Sequence, residues 1–414
     1  MSYVRLVPST YEYAEKFRLL DQVDFKIIRG MYEHGFSSLS KLSESTGIPK
    51  QTLSYHARKL DKKDVVRFRA LVDEPKIGLK SFMVIASAPL GEEDIASRAL
   101  TCFPLWRYLA VVDGWRRGSC VRYAIPPDKE RDLNAFLNDV KQRGLISDFQ
   151  MVSTTSPSYP LLNLEFYGKR MGFPVFDWDK WVNNFDSFPE EESSEPTSYE
   201  KAKMDLYDLM VLRFLEINAR TRQRRIVKEI ATILGEKENM RLISLVSRRT
   251  RSMTAPGGLI RGYRAYLFPN PVPTAMFLMY RITFTGTRDL RKFTSGLRHL
   301  PYNTSYEKII GREELLLRFM VPAYESTNLW GSITELAKRG HIRDAHLFLG
   351  DLEHKTWDNV EIYQMFHEGT WNFSYGIAEE LLERALGSES LQQETQPGLG
   401  FEQKEVRTRS WDNL

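Results

Sequence analysis

Apolar residues recur at spacings of three and four over residues 21–34, which predicts an amphipathic helix there. A shorter helix is predicted over 38–45, and a third helix follows a Gly-Ile-Pro break at 50–60. The stretch "VVRFRALV" at 65–72 alternates like a strand. Three helices and a hairpin within 20–73 predict a winged helix-turn-helix.

The hydrophobic period changes after this unit. "KSFMVIASA", "LWRYLAVVD", "SCVRYAI" and "LISDFQMV" read as strands, and two helical stretches lie between them. The predicted order over residues 80–152 is strand, helix, strand, strand, helix, strand. That order is typical of a ferredoxin-like sandwich of one sheet and two helices.

The same pattern returns later in the chain. "KQRGLISDFQM" and "AKRGHIRDAHL" place Gly144 and Gly340 196 positions apart, and Asp148 and Asp344 keep the same offset. A constant offset over many positions is the mark of an internal repeat. The predicted fold class is therefore α+β, with two copies of a winged helix-turn-helix followed by a ferredoxin-like βαββαβ sandwich.

The hydrophobic pattern and the repeat together divide the chain. The predicted units are a leader at 1–19, winged helices at 20–79 and 204–270, sandwiches at 80–155 and 271–350, an aromatic segment and acidic linker at 156–203, a C-terminal aromatic and helical segment at 351–386, and a flexible tail at 387–414. We expect the aromatic part of 156–203 to pack on the first sandwich. The aromatic groups Trp178, Trp181 and Phe185, and Trp357, Trp371 and Phe373, either cover a sheet or form partner surfaces.

The composition of the chain indicates its cellular location and shows how charge is distributed along it. The 414 residues include no long apolar run and no secretion-type start, which indicates a cytoplasmic protein, and Cys102 and Cys120 are expected to be inert core residues. The net charge is only +4. However, residues 204–268 hold 13 Lys or Arg against 6 acids, and residues 20–73 hold 10 against 7. The second winged helix is therefore the more basic one.

These residues resemble the Lrp/AsnC (feast/famine) transcription regulators. The resemblance lies in Leu20-Asp21, Asp24 and Ile27-Ile28, in "GIP" at 47–49, and in "ALVDEPKIG" at 70–78. It implies a winged helix joined to a ferredoxin-like domain that dimerises and binds an effector. Two fused copies then imply an intramolecular pseudo-dimer, with a homodimer or higher assembly also possible.

The resemblance also indicates a possible small-molecule effector site. The family has a Gly followed shortly by an acid at the turn into the third strand of the sandwich. Gly311 and Glu314 keep this pattern and are the predicted effector-binding residues. In the first half, Gly114 is followed by Trp-Arg-Arg, so base replaces acid there.

The main prediction is a sequence-specific regulator, of archaeal or bacterial type, that binds double-stranded DNA. Recognition needs outward side chains on the third helix for base edges and cations for phosphates. The predicted DNA-binding residues are Lys50, Gln51, Ser54, Tyr55, Arg58, Arg67, Arg69, Arg222, Arg224, Arg225, Arg241, Ser244, Arg248, Arg251, Arg261 and Arg264.

Two other function classes remain open. Siroheme decarboxylases resemble fused or paired Lrp/AsnC-type domains, and such an enzyme needs cations for propionates and convergent His or Tyr in the sandwich cleft. The seven histidines show no metal-ligand spacing, and no nucleotide or hydrolase motif occurs, so the prediction is no enzyme, no catalytic residue, no metal and no cofactor. The second alternative is a scaffold whose winged helices bind protein.

Overall fold

The structure, a computed structural model, describes residues 4–5, 11–35, 39–63, 66–167, 174, 176–190, 201–270, 274–351, 356–359 and 361–387. Residues 191–200 of the predicted linker and 388–414 of the predicted tail lie outside these ranges. Within them, no helix has both the length and the apolar character needed to cross a membrane.

The first half contains the elements of the predicted order. They are β1 (Val4–Arg5), α1 (Tyr11–Arg18), α2 (Gln22–His34), α3 (Leu39–Thr46), α4 (Lys50–Lys63), β2 (Arg67–Val72), β3 (Lys80–Ser87), α5 (Glu93–Thr101), β4 (Trp106–Gly114), β5 (Gly118–Ile125), α6 (Glu130–Gln142), β6 (Asp148–Thr154) and α7 (Trp178–Asn183). Residues 1–19 are more than a leader, because Ala14 and Phe17 of α1 are buried in the core of the winged helix.

The second half repeats this order of elements. They are α8 (Leu206–Ile217), α9 (Gln223–Leu234), α10 (Met240–Thr254), β7 (Ile260–Tyr266), β8 (Ala275–Phe284), α11 (Thr287–Gly296), β9 (Asn303–Lys308), β10 (Glu314–Pro322), α12 (Ser326–Lys338), β11 (Ile342–Gly350), β12 (Thr356–Asp358), β13 (Phe366–His367), β14 (Thr370–Trp371) and α13 (Tyr375–Gly387). The fold is α+β, with an N-terminal winged helix-turn-helix and antiparallel sheets.

Helices α2 and α8 begin in the same way. Asp21 caps α2 and Asp205 caps α8, and each forms a capping box with the Asp three residues later. In both places a cation from the third helix lies on these carboxylates. Lys59 Nζ is 2.6 Å from Asp24 Oδ2, and Arg249 Nη2 is 2.6 Å from Asp205 Oδ2. The repeat therefore extends to the polar contacts that hold the first and third helices together.

The two four-stranded sheets are joined edge to edge and face to face. Their strand orders are β6-β3-β5-β4 and β11-β8-β10-β9, and β4 pairs with β11. At the opposite edges Thr154 bridges Ile309, and Thr155 N donates to Lys308 O. The inner faces share an apolar core that includes Met83, Val112, Phe277 and Met279, drawn from both sheets. Within the chain, the two sheets therefore pair with each other.

The predicted hairpin within 20–73 is wrong, because the wing strand β2 pairs with β7 of the other half. In this antiparallel ribbon Arg69 lies directly opposite Arg264. The two strands are also exchanged in their packing, since β2 lies against α8 of the second half and β7 against α2 of the first. A single strand leaves the hydrogen-bonding groups of its edge unpaired, and the wing of the other half supplies the partners.

The aromatic segments are exchanged between the halves as well. Trp181 Nε1 donates to Gly296 O at 3.1 Å, and Trp178 Nε1 donates to Glu325 Oε2 at 2.6 Å, so α7 packs on the second sandwich and not on the first as predicted. In return, Phe373 contacts Phe103 of the first sandwich with ring centroids 4.6 Å apart. The described Trp and Phe side chains of both groups are buried or half-buried and cover the other half. The exchange follows from the positions of β6 and β11. Each is the last strand of its sheet and lies at an edge beside the other sheet, so the segment that follows it reaches the other half.

Candidate functional site: a cavity beneath the paired wings

The predicted DNA-facing helices do present their polar faces to solvent. On α4, Lys50, Gln51, Tyr55 and Arg58 are exposed, Ser54 is half-buried, and Tyr55 is 68% exposed. In the second half the exposed residues of the predicted set are Arg222, Arg224, Arg225, Arg241, Ser244, Arg248 and Arg251. Both helical faces remain candidate nucleic-acid surfaces.

The wing arginines do not join these faces. Arg67 is exposed, as predicted for an outward position, whereas Arg69 donates to Glu216 O and to Asp358 beneath the ribbon. Arg264 lies over the rings of Tyr159 and Tyr266, at 4.1 and 3.9 Å from their centroids. Directly opposed residues of a two-stranded ribbon share a face, and the face that carries Arg69 and Arg264 covers the sheets.

Arg261, the remaining predicted DNA contact of the wing, is exposed and donates to Pro157 O. Its side chain lines the same cavity as Arg69 and Arg264. Arg69 and Arg264 therefore line an internal cavity, whereas Arg261 reaches the same cavity but stays exposed.

The predicted effector residues lie at the far end of the sheets. Gly311 has φ +72°, as the tight turn requires. The Glu314 carboxylate accepts hydrogen bonds from Arg281 Nε at 2.8 Å and Nη2 at 2.5 Å, and Arg281 also donates to Gln150 Oε1 at 2.6 Å. An effector amine would have to displace Arg281 to reach Glu314.

A cavity lies between the paired wings, the inner ends of the sheets and residues 157–160, and we call it the paired-wing cavity. It has two compartments, which share Tyr159, Arg264 and Tyr266. The open compartment is bounded by Tyr108, Phe277, 303–305 and 318–320, and encloses about 770 Å³ when the solvent at its mouth is counted. The filled compartment is bounded by Arg69, Glu74, Arg107, Arg122, Glu216 and Asp358, and on the same basis encloses about 450 Å³.

Three arginine–carboxylate pairs occupy the filled compartment. Arg69 pairs with Asp358, Arg107 with Glu216, and Arg122 Nη1 lies 2.7 Å from Glu74 Oε1. All six side chains are buried or nearly so, with no more than 17% of any side chain exposed.

The pairs differ in how burial and the neighbouring arginines balance. Burial alone would raise the pKa of Glu74, but Arg122 and Arg107 hold that pKa below its usual range. Burial would likewise raise the pKa of Asp358, but Arg69 and Arg107 outweigh burial and lower that pKa. At Glu216 the effect of burial is larger than that of Arg107 and Arg69, so the pKa of this carboxyl group is raised.

The open compartment has a different polar content. Among the described residues no carboxylate pairs with Arg264, whose contacts are the two tyrosine rings. Arg318 donates to Glu307 Oε1 at 2.8 Å and to Ser305 Oγ at 3.0 Å. Tyr108 Oη and Thr304 Oγ1 are buried without a hydrogen-bond partner in the described structure, and Thr304 is only 7% exposed. Buried polar groups are nearly always paired, so these atoms indicate a ligand or ordered water.

Tyr108 stays protonated at neutral pH. Burial raises its pKa above the usual range, and the neighbouring Arg318, whose guanidinium carbon lies 5.0 Å from the ring centroid, opposes this only in part. The open compartment thus combines an unpaired cation and a neutral phenol with the apolar side chains of Phe277 and Met320. This arrangement suits an apolar molecule with carboxylate groups.

The sequence-based prediction missed most of this site. Arg122 and Arg318 are 196 positions apart, which is the offset of the repeat, but nothing in their local pattern shows that they face each other across Glu307. An available signal was an arginine at an inward position of a strand, in "SCVRYAI" and "LLLRFMV". A charge on the buried face of a sheet needs a partner or a ligand.

One further group of acids and a histidine has metal-ligand types, namely Asp21, Asp24 and His56. His56 Nδ1 lies 2.6 Å from Asp24 Oδ1, and Lys59 Nζ lies at the same distance from the other oxygen. Lys59 thus already places a positive charge beside Asp21 and Asp24, and these contacts fasten α4 to α2.

A family model described as winged helix-turn-helix DNA-binding matches residues 20–67. No functionally curated protein matches the sequence. The crystal structure of the siroheme decarboxylase NirDL is similar over 89% of this chain and 99% of its own, with 12% identity and a TM-score of 0.46.

Single-copy regulators match a part of the chain. An AsnC family transcriptional regulator from Agrobacterium tumefaciens matches over 36% of this chain and 99% of its own, at 19% identity and a TM-score of 0.29. Escherichia coli AsnC matches over 33% of this chain and 91% of its own, at 13% identity and a TM-score of 0.26. The family model thus identifies a winged helix-turn-helix at residues 20–67, and the distant structural likenesses say nothing about the activity of the chain.

Proposed function

We propose that the chain is a siroheme-decarboxylase-like enzyme that binds a planar polycarboxylate in the paired-wing cavity and removes carboxylate groups from it as CO₂. The observation that carries the proposal is the neutral, unpartnered phenol of Tyr108 beside two arginines in an apolar compartment. Cations for carboxylates and convergent tyrosines are what such chemistry requires. The finer fold assignment that accompanies this proposal is a second winged helix-turn-helix formed by α8, α9, α10 and β7.

The proposed reaction follows from these groups. Arg264 holds a carboxylate of the substrate by charge-assisted hydrogen bonds, which are the strong ones, whereas Arg318 already donates to Glu307. A substrate carboxylate placed against Phe277 and Met320 loses its hydrating water. This apolar environment disfavours the localised charge of the carboxylate more than the dispersed charge of the decarboxylation transition state, which lowers the barrier. The bond between the carboxylate carbon and its methylene breaks, and CO₂ leaves. The electron pair stays on the methylene carbon, where the adjacent aromatic ring delocalises it.

Tyr108 completes the step by giving its hydroxyl proton to that carbon, which becomes a methyl group. Solvent then returns one proton to the tyrosinate, so each event consumes one proton and releases one CO₂. Because burial keeps Tyr108 protonated, the acid is present across the neutral pH range.

The test is anaerobic incubation of the purified chain with siroheme, followed by mass spectrometry of the tetrapyrrole. We expect stepwise loss of CO₂, and we expect Tyr108→Phe to bind siroheme with little change while turnover falls by about 100-fold or more. Tyr324→Phe is the matched control, because Tyr324 is 53% exposed and lies outside the cavity. Unchanged siroheme with wild-type protein, or full activity in Tyr108→Phe, would overturn the mechanism.

DNA binding is a second candidate, and the exposed polar face of α4 within residues 20–67 favours it. Each neutralised phosphate contributes about 0.9 to the slope of log K against log salt. We expect alanine at Arg222, Arg224 and Arg225 to weaken binding to every sequence and to flatten the slope by about two to three units. Alanine at Gln51 and Arg58 should instead reduce discrimination by about 1–3 kcal/mol per base contact and leave the slope nearly unchanged. An unaltered slope in the triple variant would contradict the role of α9 as the electrostatic anchor.

A further inference from the structure

The two compartments of the paired-wing cavity are equivalent positions of the internal repeat. Arg264 corresponds to Arg69, Arg318 to Arg122, and Thr304 to Arg107, at offsets of 195, 196 and 197 positions. The wing register supports the first equivalence directly, since Arg69 and Arg264 are opposite partners in the ribbon. A repeat with a pseudo-twofold axis through the ribbon presents the same kind of site twice.

The residues at these equivalent positions have diverged in charge. Each of the three arginines on the first side has a carboxylate partner of its own, Asp358, Glu216 or Glu74. On the second side Arg318 has the carboxylate partner Glu307. Arg264 has no carboxylate within ion-pair distance among the described residues, although its charge contributes to lowering the pKa of Asp358. The position equivalent to Arg107 is Thr304, whose hydroxyl is unpartnered.

The first helix of each half shows the same divergence. α8 directs Glu216 to Arg107. α2 instead places Tyr32 at the equivalent position, 184 residues earlier, where its Oη donates to Tyr159 O at 2.8 Å. The carboxylates on the first side thus lie where an anionic ligand would meet the arginines.

The geometry points to one ligand per chain, with the carboxylates of a planar aromatic polycarboxylate on Arg264 and Thr304 of the open compartment, while Asp358, Glu216 and Glu74 permanently occupy the equivalent compartment. This inference rests on the proposed function for the class of ligand. It goes further in assigning one compartment as the site and the other as internally neutralised.

The experiment is a titration of the full chain with iron-uroporphyrin III, an octacarboxylate, followed by absorption spectroscopy and by native mass spectrometry for stoichiometry. We expect one probe per chain. Arg264→Gln should weaken binding by about 10- to 100-fold, the equivalent of one charge-assisted hydrogen bond. The double variant Arg69→Gln with Asp358→Asn removes a neutral pair and should change the dissociation constant by less than about threefold.

Smaller substitutions give the same discrimination without the risk of unfolding. Thr304→Val removes a buried hydroxyl that has no partner, so the ligand-free chain should become no less stable while probe binding weakens by about three- to tenfold. Ser156→Ala is the control in the filled compartment, where Ser156 Oγ donates to Glu74 Oε2 at 3.2 Å, and it should leave binding unchanged.

The outcomes separate this inference from the proposed function. Two probes per chain, or a larger effect of Ser156→Ala than of Thr304→Val, would overturn the assignment of the site and leave decarboxylation standing. One probe bound through Arg264 without any loss of CO₂ from siroheme would uphold the assignment and overturn the enzyme. Failure to bind the probe at all would overturn both.

Discussion

Removing Arg107 alone should destabilise the chain more than removing its partner as well. Arg107 on β4 of the first sandwich pairs with Glu216 on α8 of the second half, and their side chains are 7% and 8% exposed. The Arg107 guanidinium also donates to Asn359 O at 3.2 Å. Replacing Arg107 by Met leaves the Glu216 carboxylate buried with Arg69 as its remaining nearby cation.

Breaking a buried ion pair from one side typically costs about 3–5 kcal/mol, and replacing both partners by apolar residues is often neutral. We therefore expect Arg107→Met to lower the free energy of unfolding by about 3–5 kcal/mol. The double variant Arg107→Met with Glu216→Leu should recover most of that loss. The control is Arg384→Met, which breaks an exposed pair with Glu380 on α13 and should cost less than about 1 kcal/mol.

Urea unfolding monitored by tryptophan fluorescence and circular dichroism gives the free energies, and the four variants of Arg107 and Glu216 form a double-mutant cycle. A loss below about 1 kcal/mol in Arg107→Met would refute the buried pair. A double variant as unstable as the single one would refute the reasoning that an uncompensated carboxylate causes the loss.

Three further predictions concern stability and reactivity. The pKa of Glu216 is raised in the folded chain. The stability that this carboxyl group contributes is therefore complete below its unfolded pKa near 4.5, and it declines as the pH rises through the folded pKa. Urea midpoints measured across pH should accordingly show the stability of Glu216→Gln increasing relative to that of the wild type as the pH rises. Gly114→Ala should reduce the urea midpoint more than Gly144→Ala, because both have positive φ but a Cβ on Gly114 would meet Leu347 O at 2.7 Å where the sheets join. Burial raises the pKa of Cys102 and of Cys120 to about 12, so a thiol reagent at pH 8 should label them only after unfolding, and rapid labelling of the native chain would contradict this.

The elements of the chain were largely predictable because their signals are local. The period of residues 21–34 corresponds to α2, and the alternation of 65–72 corresponds to β2. Both cysteines are buried and free, as expected. The repeat could also be recognised from local signals, since the duplicated sandwiches retain their glycine turns and strand spacing.

The exchanges between the halves were not predictable from such signals. The alternation of β2 shows which of its side chains share a face but does not name the strand that pairs with it. The apolar surface of Trp178 and Trp181 indicates burial without specifying the sandwich that provides it. Arg69 and Arg264 were predicted to contact DNA because the local sequence of a wing arginine is the same in two situations. The side chain can face a phosphate in solvent, or it can face the sheets that the ribbon covers.

Fusion of the halves explains how the two compartments came to differ. In a symmetric dimer of identical chains, a carboxylate that neutralises an arginine on one side of the twofold axis appears on the other side as well. A site lost to such a substitution is then lost twice. In the fused chain Glu216 can replace a neutral residue in α8 while Tyr32 remains in α2, so one compartment becomes a permanent set of ion pairs and the other keeps Arg264 unpaired. The filled compartment then stabilises the exchanged wings, and the open one retains the polar groups that a ligand needs.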